Sequence, residues 1–493
     1  MSPAPFVRLA TVKNPAAFRE VLRRLGLDLP VDDVMTPDGP LLQPLEWGGF
    51  RLANRIVVHP MEGWDATADG RPTELTFRRW RRFGESGAGL VWGGEAVAVR
   101  HDGRANPRQL VAAKHTAADL ARLRETTIAA YRNATGSANG PIIGLQLTHS
   151  GRYARPDGPP APLIAHHHPI LDSRLGLPAD HPLVSDDELR RIIDAFVRAA
   201  RIARDAGYDF VDVKHCHGYL GHELLAAHTR GGEFGGPLDN RTRFLREIVA
   251  GIRAVVPGLA VGVRLSAFDT VPFRPDPERS SPGRPGPGVP EPHAGLGTYR
   301  WGFGVDPEAP TEPNLDEPAR LLALLGQMDV RLVNLTAGSP YWNPHVQRPA
   351  LFPPSDGYLP PEDPLVGVAR QIHAVRDLRR CVPGLVAVGT GYTYLQDFMP
   401  NVAQAVLRAG WVDLVGIGRG VLSYPSHLRD AALHWPLERR LVCRTFSDCT
   451  TAPRNGLVSG CYPLDAHFKR SPEGERLRAT KAALASGRPL SGA

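Results

Sequence analysis

The chain has 493 residues, of which 58 are basic and 51 acidic, giving a formal net charge of +7, and 42% are hydrophobic. This length allows two or three domains, or one large barrel with insertions. The arginines are dispersed and no basic run is interleaved with aromatic residues, which argues against a nucleic-acid partner. Because no apolar run reaches about 18 residues, we expect no membrane partner either.

The chain shows neither a secretory signal at its N-terminus nor the cysteine content of a disulfide scaffold. Residues 1–15 lack an apolar core, and the whole chain has five cysteines. A cytoplasmic location is therefore the expectation. Residues 1–40 are predicted to form an N-terminal extension, in which Asn14 caps a short helix that begins at Pro15 and ends before Gly26.

Eight apolar runs, mostly separated by helical patterns, follow this extension. Alternating strands and helices with continuously apolar strands predict a parallel sheet. Eight such units favour an α/β fold of the (β/α)₈ TIM-barrel type over residues 41–435, with a C-terminal extension at 436–493, although the count alone leaves an open sheet as an alternative. The predicted strands are Arg55–Val58, Gly89–Trp92, Ile142–Leu147, Phe210–Val213, Ala260–Leu265, Val330–Leu335, Leu385–Val388 and Leu414–Ile417.

The fourth predicted strand ends in the most informative stretch of the chain, VDVKHCHGYL. Its polar residues are Lys214, His215, His217 and Tyr219. Such groups are poor core material, since a buried polar group costs free energy unless it is paired. At the mouth of a parallel barrel they would instead converge on a ligand, except that His215 should point to the face opposite its neighbours. Lys214 is one of only five lysines, which makes it hard to dismiss as a solvated charge.

The other predicted strands also end in polar or glycine clusters. In a barrel these ends share one face, where active sites form. The clusters are His59-Pro60-Met61-Glu62, Gly93-Gly94-Glu95, Gln146 with His149-Ser150-Gly151-Arg152, Arg264 with Ser266, Asn334 with Thr336, Gly389-Thr390-Gly391, and Gly418-Arg419-Gly420.

Two of these groups suggest particular ligands. The glycine turn at 389–391 and Gly418-Arg419 suit a phosphate, because backbone N–H groups and a guanidinium bind anions and the last two barrel loops are a frequent phosphate site. Arg264, at the end of a buried strand, needs an anionic or electron-rich partner, and Gln146 offers both a donor and an acceptor. Together they suit a flat heterocycle, and a purely structural ion pair is the alternative for Arg264.

The segment 271–304 departs from the alternating pattern. It is crowded with proline and glycine, so we expect no regular element in it. Because it leaves the C-terminal end of the fifth strand, it would lie over the site as a lid. A disordered loop without a role is the alternative.

On these motifs, the chain resembles the Old Yellow Enzyme family of FMN-dependent NAD(P)H:flavin oxidoreductases. The resemblance implies one (β/α)₈ barrel that binds FMN noncovalently at its C-terminal face, takes hydride from NAD(P)H, and reduces an activated C=C of a small or natural-product-like substrate. The matching segments, in family order, are LANRIVVHPM (52–61), GLQLTHSGR (144–152), DVKHCHGYLGHELL (212–225), EFGGPLDNRTRF (233–244), VGVRLSA (261–267) and LVGIGRGVL (414–422).

The resemblance also implies roles for individual residues. It places Pro60, Met61 and Gly94 against the isoalloxazine, Gln146 and Arg264 at its pyrimidine edge, and Gly389, Gly391, Gly418 and Arg419 around the phosphate. Tyr219 matches the tyrosine that protonates the substrate, and His217 with Lys214 would polarise the oxygen of the acceptor.

Two positions depart from the family pattern. Lys214-x-x-His217 replaces the usual pair of histidines, or histidine and asparagine, and the branches that lack the first histidine include amine dehydrogenases and dienoyl-CoA reductases. Glu62 stands where the family has threonine or cysteine near flavin C4 and O4. An ionised Glu62 would make the flavin harder to reduce, and a protonated one could donate a hydrogen bond.

The cysteines of the C-terminal extension resemble part of an iron–sulfur site. Cys449 and Cys461 match the last two ligands of the dienoyl-CoA reductase branch, but Val442 and Thr445 stand at the first two positions and Cys443 is one residue out of frame. Since a [4Fe–4S] cluster needs four thiolates, we expect no metal. No dinucleotide fingerprint follows a late strand, so one flavin per chain is expected.

The residues leave three other functions open. The same barrel could oxidise an amine or alcohol, or act as a demethylase, with Lys214 or Tyr219 as the base. Lys214 beside a phosphate site could also form a Schiff base, as in a barrel lyase. A barrel used only as a binding module is the third alternative. The sequence does not decide the substrate, NADH against NADPH, or whether the chain forms a homo-oligomer.

Overall fold

A closed barrel of eight parallel strands dominates the computed structural model, which describes residues 6–485. The first strand pairs with both the second and the eighth, and the second pairs with the third, so the ring closes. The predicted (β/α)₈ fold is confirmed. The strands are β1 Ile56–Val58, β2 Leu90–Val91, β3 Ile142–Thr148, β4 Phe210–Val213, β5 Ala260–Ser266, β6 Leu332–Thr336, β7 Val386–Gly389 and β8 Leu414–Ile417.

One principal helix follows each strand and packs its apolar face on the barrel. In the third of these helices Ser185 is the N-cap, its hydroxyl accepting the Glu188 N–H at 3.1 Å, while Leu189, Ile192 and Phe196 face inward. The helices are α1 Glu74–Glu85, α2 Ala117–Thr135, α3 Asp186–Asp205, α4 Arg243–Val255, α5 Asp316–Gln327, α6 Pro364–Cys381, α7 Met399–Arg408 and α8 His427–Ala432.

Short helices occupy many of the connections. The α-helical ones are Pro15–Arg24, Pro169–Leu175, Leu220–Leu225, Leu238–Arg241, Pro344–Gln347, Gly420–Ser423, Asp448–Arg454, Ala466–Lys469 and Pro472–Ala485. The 3₁₀ helices are Leu9–Thr11, His101–Gly103, Lys114–Thr116, Gly151–Tyr153, Ala294–Leu296, Tyr392–Phe398 and Arg439–Leu441. The helix predicted after Asn14 is confirmed, and the Asn14 carboxamide accepts the Ala17 N–H at 2.8 Å.

The N-terminal end of the barrel is closed by apolar side chains. A hairpin of two strands, Leu45–Trp47 and Phe50–Leu52, covers this end, and the Trp47 ring meets the edge of Phe210 at 6.2 Å. The interior layer above it is formed by Val57, Leu90, Trp92, Phe210, Leu332, Val388 and Leu414. Only the C-terminal end of the barrel is therefore left for a ligand.

The chain breaks the second strand close to that open end. After β2, residues 92–95 leave the sheet, and Ala96–Ala98 then pairs with β3 as a ninth strand. The break lets the Trp92 indole donate to the buried carboxylate of Asp212 at 2.7 Å. It also turns Glu95 toward the first strand's end, where it binds the Gly63 N–H at 3.2 Å.

The proline-rich segment 271–304 contains regular structure, so the expectation of none was wrong. Phe273–Pro275 and Gly288–Pro290 form an antiparallel hairpin. Prolines are tolerated at the ends of such edge strands because no ladder partner needs their missing N–H. The Gly288 N–H donates to Leu359 at 2.9 Å, which fixes the hairpin to the segment after β6.

The C-terminal extension folds back over the barrel beside α1. Its core consists of Ala452, Val458, Tyr462, Phe468 and Leu477. Arg78 of α1 pairs with Asp465 at 2.8 Å. Within residues 6–485, no helix combines the length and apolarity needed to cross a membrane.

Candidate active site

A cavity with a volume of about 270 Å³ opens at the C-terminal ends of the strands. Residues from strand ends, from the loop after β6 and from the C-terminal extension line it. The predicted site residues in its wall are Pro60, Met61, Glu62, Gln146, Lys214, His217, Tyr219, Arg264, Gly391, Gly418 and Arg419. The sequence prediction therefore brought together residues that the fold also brings together.

Gly94 and Gly389 are the two predicted site residues that do not line the cavity. The Gly94 carbonyl accepts the Met61 N–H at 2.8 Å, and a Cβ on Gly94 would lie 2.0 Å from the Trp80 ring. A Cβ on Gly389 would lie 2.7 Å from the Tyr392 hydroxyl. Both glycines allow close packing behind the wall, and Gly94 thereby positions Met61.

Arg264 projects from β5 without a partner for its charge. Its Nε is buried with no hydrogen bond, and its guanidinium forms no ion pair within residues 6–485. The carboxylate of Asp212 contacts the backbone of Arg264 rather than its guanidinium: it accepts the Arg264 backbone N–H at 2.6 Å. Burial lowers the pKa of Arg264. A buried, unpaired guanidinium is the feature expected where an anionic or electron-rich ligand binds.

Asp212 instead fixes the residues beside Arg264. It accepts hydrogen bonds from the Gln146 amide at 2.5 Å and from the Trp92 indole at 2.7 Å. Burial raises its pKa to about 6. The Gln146 side chain is therefore held in one orientation at the floor of the cavity.

On the next wall, Glu62, Lys214 and Tyr219 form one contact group. The Lys214 ammonium lies 3.6 Å from Glu62 Oε1 and 3.7 Å from the centre of the Tyr219 ring. The Tyr219 hydroxyl donates to Glu62 at 3.2 Å and lies 3.3 Å from the Tyr341 hydroxyl. Burial, reinforced by the Glu62 charge, raises the pKa of Tyr219 well above its usual range, so its proton is retained.

His217 is held in a strained conformation. Its φ of +65° is unfavourable for a residue with a side chain and costs on the order of 1–3 kcal/mol. Ser266 accepts its N–H at 3.1 Å, and the Ser339 hydroxyl donates to its carbonyl at 3.0 Å. Burial, with Arg264 nearby, lowers the pKa of His217 well below its usual range, so the ring is neutral. His215 points away from the cavity onto Phe244, as expected.

Two arginines converge near the ends of β7 and β8. Arg419 and Arg348 each have one buried guanidinium nitrogen without a hydrogen bond in the described chain. The other terminal nitrogen of Arg348 donates to the Thr450 hydroxyl. Burial, with Arg419 adding its charge, lowers the pKa of Arg348 to about 9. Two neighbouring guanidinium groups with unpartnered nitrogens suit an anionic ligand.

Arg348 was not predicted from the sequence as a site residue. It lies in the loop after β6 rather than at a strand end, and nothing in its local sequence distinguishes it from the many dispersed arginines. With it, the cavity wall contains five cationic residues, and Glu62 is its only acidic one within residues 6–485. The cations are Lys214, Arg264, Arg348, Arg419 and Arg454.

The C-terminal extension covers the cavity, and the expectation that segment 271–304 would do so was wrong. No residue of 271–304 lines the cavity, whereas Cys449, Thr450, Pro453, Arg454 and Ser459 do. The reason is that the hairpin packs outward against the segment after β6. The extension is anchored at the first strand's end, where the Ser459 N–H donates to the Gly63 carbonyl at 2.7 Å.

The extension also contains the three cysteines that resemble part of a cluster site. Cys461 is buried and Cys443 and Cys449 are half-buried, and no disulfide forms among the described residues. Burial raises the pKa of the Cys461 thiol to about 12. Across residues 6–485, no three His, Cys, Asp or Glu side chains are grouped to hold a metal ion. The absence of a metal remains a prediction.

Sequence comparisons relate part of the chain to one family of enzymes. Residues 40–275 match the NADH:flavin oxidoreductase / NADH oxidase family. NADPH dehydrogenase of Bacillus subtilis is 31% identical over 235 residues, covering 46% of this chain and 64% of that protein. Putative 12-oxophytodienoate reductase 4 of Oryza sativa is 32% identical over 236 residues, covering 46% and 59%. The matched part thus spans less than two thirds of these relatives.

The structural matches extend further along the chain. A 2-naphthoyl-CoA reductase in complex with 2-naphthoyl-CoA superposes with a TM-score of 0.62 at 17% identity, covering 87% of this chain and 57% of that one. The Old Yellow Enzyme homologue of Zymomonas mobilis gives 0.54 at 20%, covering 80% and 93%. At these identities the superpositions show the fold.

Fold and site together define the class: a (β/α)₈ barrel with a cationic ligand cavity at its C-terminal face. Residues 40–275 are similar to the NADH:flavin oxidoreductase / NADH oxidase family, and the barrel has the fold of the Old Yellow Enzyme homologue.

The residues present fit the FMN that this family implies. Arg348 and Arg419 offer unpaired donors for a phosphate. Arg264, on β5 and three strands from Arg419 after β8, offers a cation without an ion pair in the described chain for the electron-rich edge of a flavin. Gln146 lies beside it in a fixed orientation.

Proposed function

We propose that the protein is an FMN-dependent oxidoreductase that takes hydride from NAD(P)H and reduces an activated C=C of a small or natural-product-like molecule. The observation that carries the proposal is the pair of unpaired cationic sites in one cavity, Arg264 on one side and Arg348 with Arg419 on the other. Their spacing around the barrel suits a ligand with an electron-rich ring at one end and a phosphate at the other.

When bound, FMN would supply two-electron chemistry between a nicotinamide and an organic acceptor. Arg264 would balance negative charge at the ring edge, and Asp212 would keep Gln146 directed at the same edge. Pro60 and Met61 would form the wall against the ring. Gly391, Gly418, Arg348 and Arg419 would hold the phosphate.

Tyr219 is the proposed proton donor to the substrate carbon. Its raised pKa keeps the phenol protonated, and its contacts with Glu62 and Tyr341 orient the hydroxyl group. General acids of this kind typically contribute 10²–10⁴-fold to rate. His217 has a neutral ring that lies 3.3 Å from the Gln347 amide, and it would donate a hydrogen bond to the oxygen of the acceptor.

Lys214 is the proposed second donor to that oxygen. Its contact with Glu62 balances the ammonium charge and leaves other N–H bonds for a ligand. The same contact disfavours a Schiff-base lyase, because a nucleophilic lysine must be neutral.

The test is flavin content followed by anaerobic reduction. The purified protein should contain about one FMN per chain, released on denaturation, and NADPH or NADH should bleach its yellow colour. A protein that binds no FMN, even after incubation with an excess, would contradict the proposal. So would a yellow protein that neither nicotinamide bleaches.

A second candidate, oxidation of an amine or alcohol, rests on Lys214 in the Lys214-x-x-His217 pattern, because the family branches that lack the first histidine include amine dehydrogenases. Anaerobic mixing with secondary and tertiary amines separates the two functions. Bleaching by an amine, with no bleaching by NAD(P)H, would replace the first proposal by the second.

The proposal extends to the substrate, location and oligomeric state of the protein. The substrate would be a small molecule, and the location cytoplasmic, since the described cysteines are all unpaired and NAD(P)H is the reductant. Formation of a homo-oligomer stays a prediction that light scattering on the purified protein would test.

A further inference from the structure

A second pocket lies beside the main cavity, on the other side of Tyr341. Its volume is about 230 Å³. Pro340 and Tyr341 line both spaces and form a wall that the two share. The hairpin of segment 271–304 forms the outer wall through Phe273, Arg274 and Pro275. The hairpin that does not cover the main cavity thus builds an adjoining one.

One side of this pocket is flat and apolar. Phe273, Tyr341, Trp342 and Tyr358 contribute rings, and Pro344 and Pro354 lie between them. The Tyr341 ring is itself stacked on Tyr153 with centres 3.8 Å apart, which fixes its plane. Arg454 lies over the Tyr341 ring as well, 4.8 Å from its centre, so a flat ligand ring would pack against Phe273, Trp342 and Tyr358 rather than stack on Tyr341.

The lining of this pocket also carries an excess of positive charge. Arg174 and Arg274 share one carboxylate, Glu291, at 2.6 and 3.3 Å. The Nε of Arg274 is buried and makes no hydrogen bond within the described chain, although it lies within ion-pair distance of Glu291. Glu291 lies behind the pocket lining, and Asp356, the acid among the described lining residues, is paired with Arg454 at 3.0 Å. One guanidinium charge is therefore left for an anionic ligand.

We propose, on the basis of the proposed function, that this pocket binds the adenosine end of the dinucleotide reductant, with the 2′-phosphate of NADPH on Arg174 and Arg274. The nicotinamide must enter the main cavity, and a dinucleotide is long enough to pass the shared wall at Pro340 and Tyr341. The purine then lies against the aromatic side, and the phosphate meets the unbalanced guanidinium. NADPH is therefore preferred to NADH.

The direct test uses 2′,5′-ADP as the probe, titrated calorimetrically into the FMN-loaded protein. Arg274→Ala should weaken its binding about tenfold, as expected for the loss of a charge-assisted hydrogen bond to phosphate. Arg279→Ala is the matched control, because Arg279 is an exposed arginine of the same hairpin that does not line the pocket. The control should bind the probe like the wild type.

Kinetics give an independent readout. Arg274→Ala should raise the KM for NADPH about tenfold and leave both kcat and the KM for NADH close to wild type, because the lost contact is made to the 2′-phosphate alone. Equal effects of Arg274→Ala and Arg279→Ala would overturn the proposal. So would a wild-type protein that does not bind 2′,5′-ADP.

The test of this pocket can fail or succeed independently of the test of the proposed function. Flavin content and bleaching test the function, whereas the titration with 2′,5′-ADP tests the pocket and needs no turnover. Tighter binding of 3′,5′-ADP, the nucleotide end of coenzyme A, would overturn the assignment and give the pocket to an acyl-CoA substrate.

Discussion

The two walls of the cavity treat their cations differently. On the β5 wall, Arg264 is buried with no partner for its charge in the described chain. On the neighbouring wall, which follows β4, Lys214 is equally buried but lies beside Glu62 at 3.6 Å. An unpaired buried cation marks a place where the fold leaves charge for a ligand, since such a group is costly in the protein alone.

The wall that contains Lys214 and Glu62 differs from the Arg264 wall in its relation to the family pattern. Lys214 and Glu62 stand at the two positions where the sequence departs from the family pattern, and the structure puts them in contact. The positive charge of Lys214 and the negative charge of Glu62 therefore compensate each other. We infer that they act as a unit, and that the two walls divide the work: the Arg264 side holds the cofactor and the Lys214 side meets the substrate.

The largest expected effect is on the substrate wall. Tyr219→Phe removes the phenolic proton and should slow reoxidation by an enone by about 10²–10³-fold, because a general acid is lost. Reduction by NAD(P)H should stay close to the wild-type rate. Stopped-flow measurement of the two half-reactions separates them, and a wild-type rate of reoxidation would remove Tyr219 as the donor.

The next effect is on the cofactor wall. Arg264→Ala should lose FMN or slow its reduction about 100-fold, since removing a preorganised charge costs on the order of 3 kcal/mol. Arg253→Ala, an exposed arginine of α4, is the control and should behave like wild type. A variant of Arg264 that stays yellow and is reduced at the normal rate would exclude this residue from the site.

The phosphate end should show a smaller effect. Arg348→Ala should weaken FMN binding about tenfold, and Arg348→Lys should restore part of it, because one charge-assisted contact to phosphate is lost in the first and replaced in the second. Fluorescence titration of FMN into the apoprotein measures both. Unchanged affinity in Arg348→Ala would leave this arginine as a partner of Thr450 only.

Lys214 gives the prediction that divides the two candidate functions. Lys214→His restores the common family pair and should keep or raise activity on cyclohexenone within a few-fold of wild type if the enzyme reduces alkenes. If it oxidises amines, the variant should gain nothing on the enone and lose its native reaction. Rates unchanged by Lys214→Ala on every substrate would leave Lys214 as a structural partner of Glu62.

The smallest expected signal concerns the cysteines. Protein purified without oxygen should contain no iron or acid-labile sulfide, because Val442 and Thr445 cannot ligate iron. Iron near four per chain would overturn this reading of Cys449 and Cys461.

Periodicity was enough to predict the eight strands, although it left open whether their sheet closes into a barrel. Each of the eight apolar runs became a strand within two residues of its predicted bounds, because a parallel strand buried on both faces is continuously apolar and a helix is not. The polar residues at the strand ends could be predicted from the same apolar runs. A charged residue that follows such a run lies at the mouth of the barrel.

Contacts between distant parts of the chain were not readable. Lys214 and Glu62 lie on different strand ends, and nothing local shows that they meet. Arg348 comes from a loop, and its role depends on Thr450 in the C-terminal extension. Proline and glycine content identified segment 271–304 as irregular, but hairpin pairing depends on the docking partner at Leu359, which composition does not encode.

The central claim is that one cavity holds FMN and passes hydride from a nicotinamide to an alkene. Its most direct test is an anaerobic spectroscopic experiment on the FMN-loaded protein, in which NADPH is added first and cyclohexenone second. The account predicts that NADPH bleaches the flavin absorption and that the enone restores it, with one saturated ketone formed per flavin. Bleaching that no activated alkene reverses, or no bleaching at all, would contradict it.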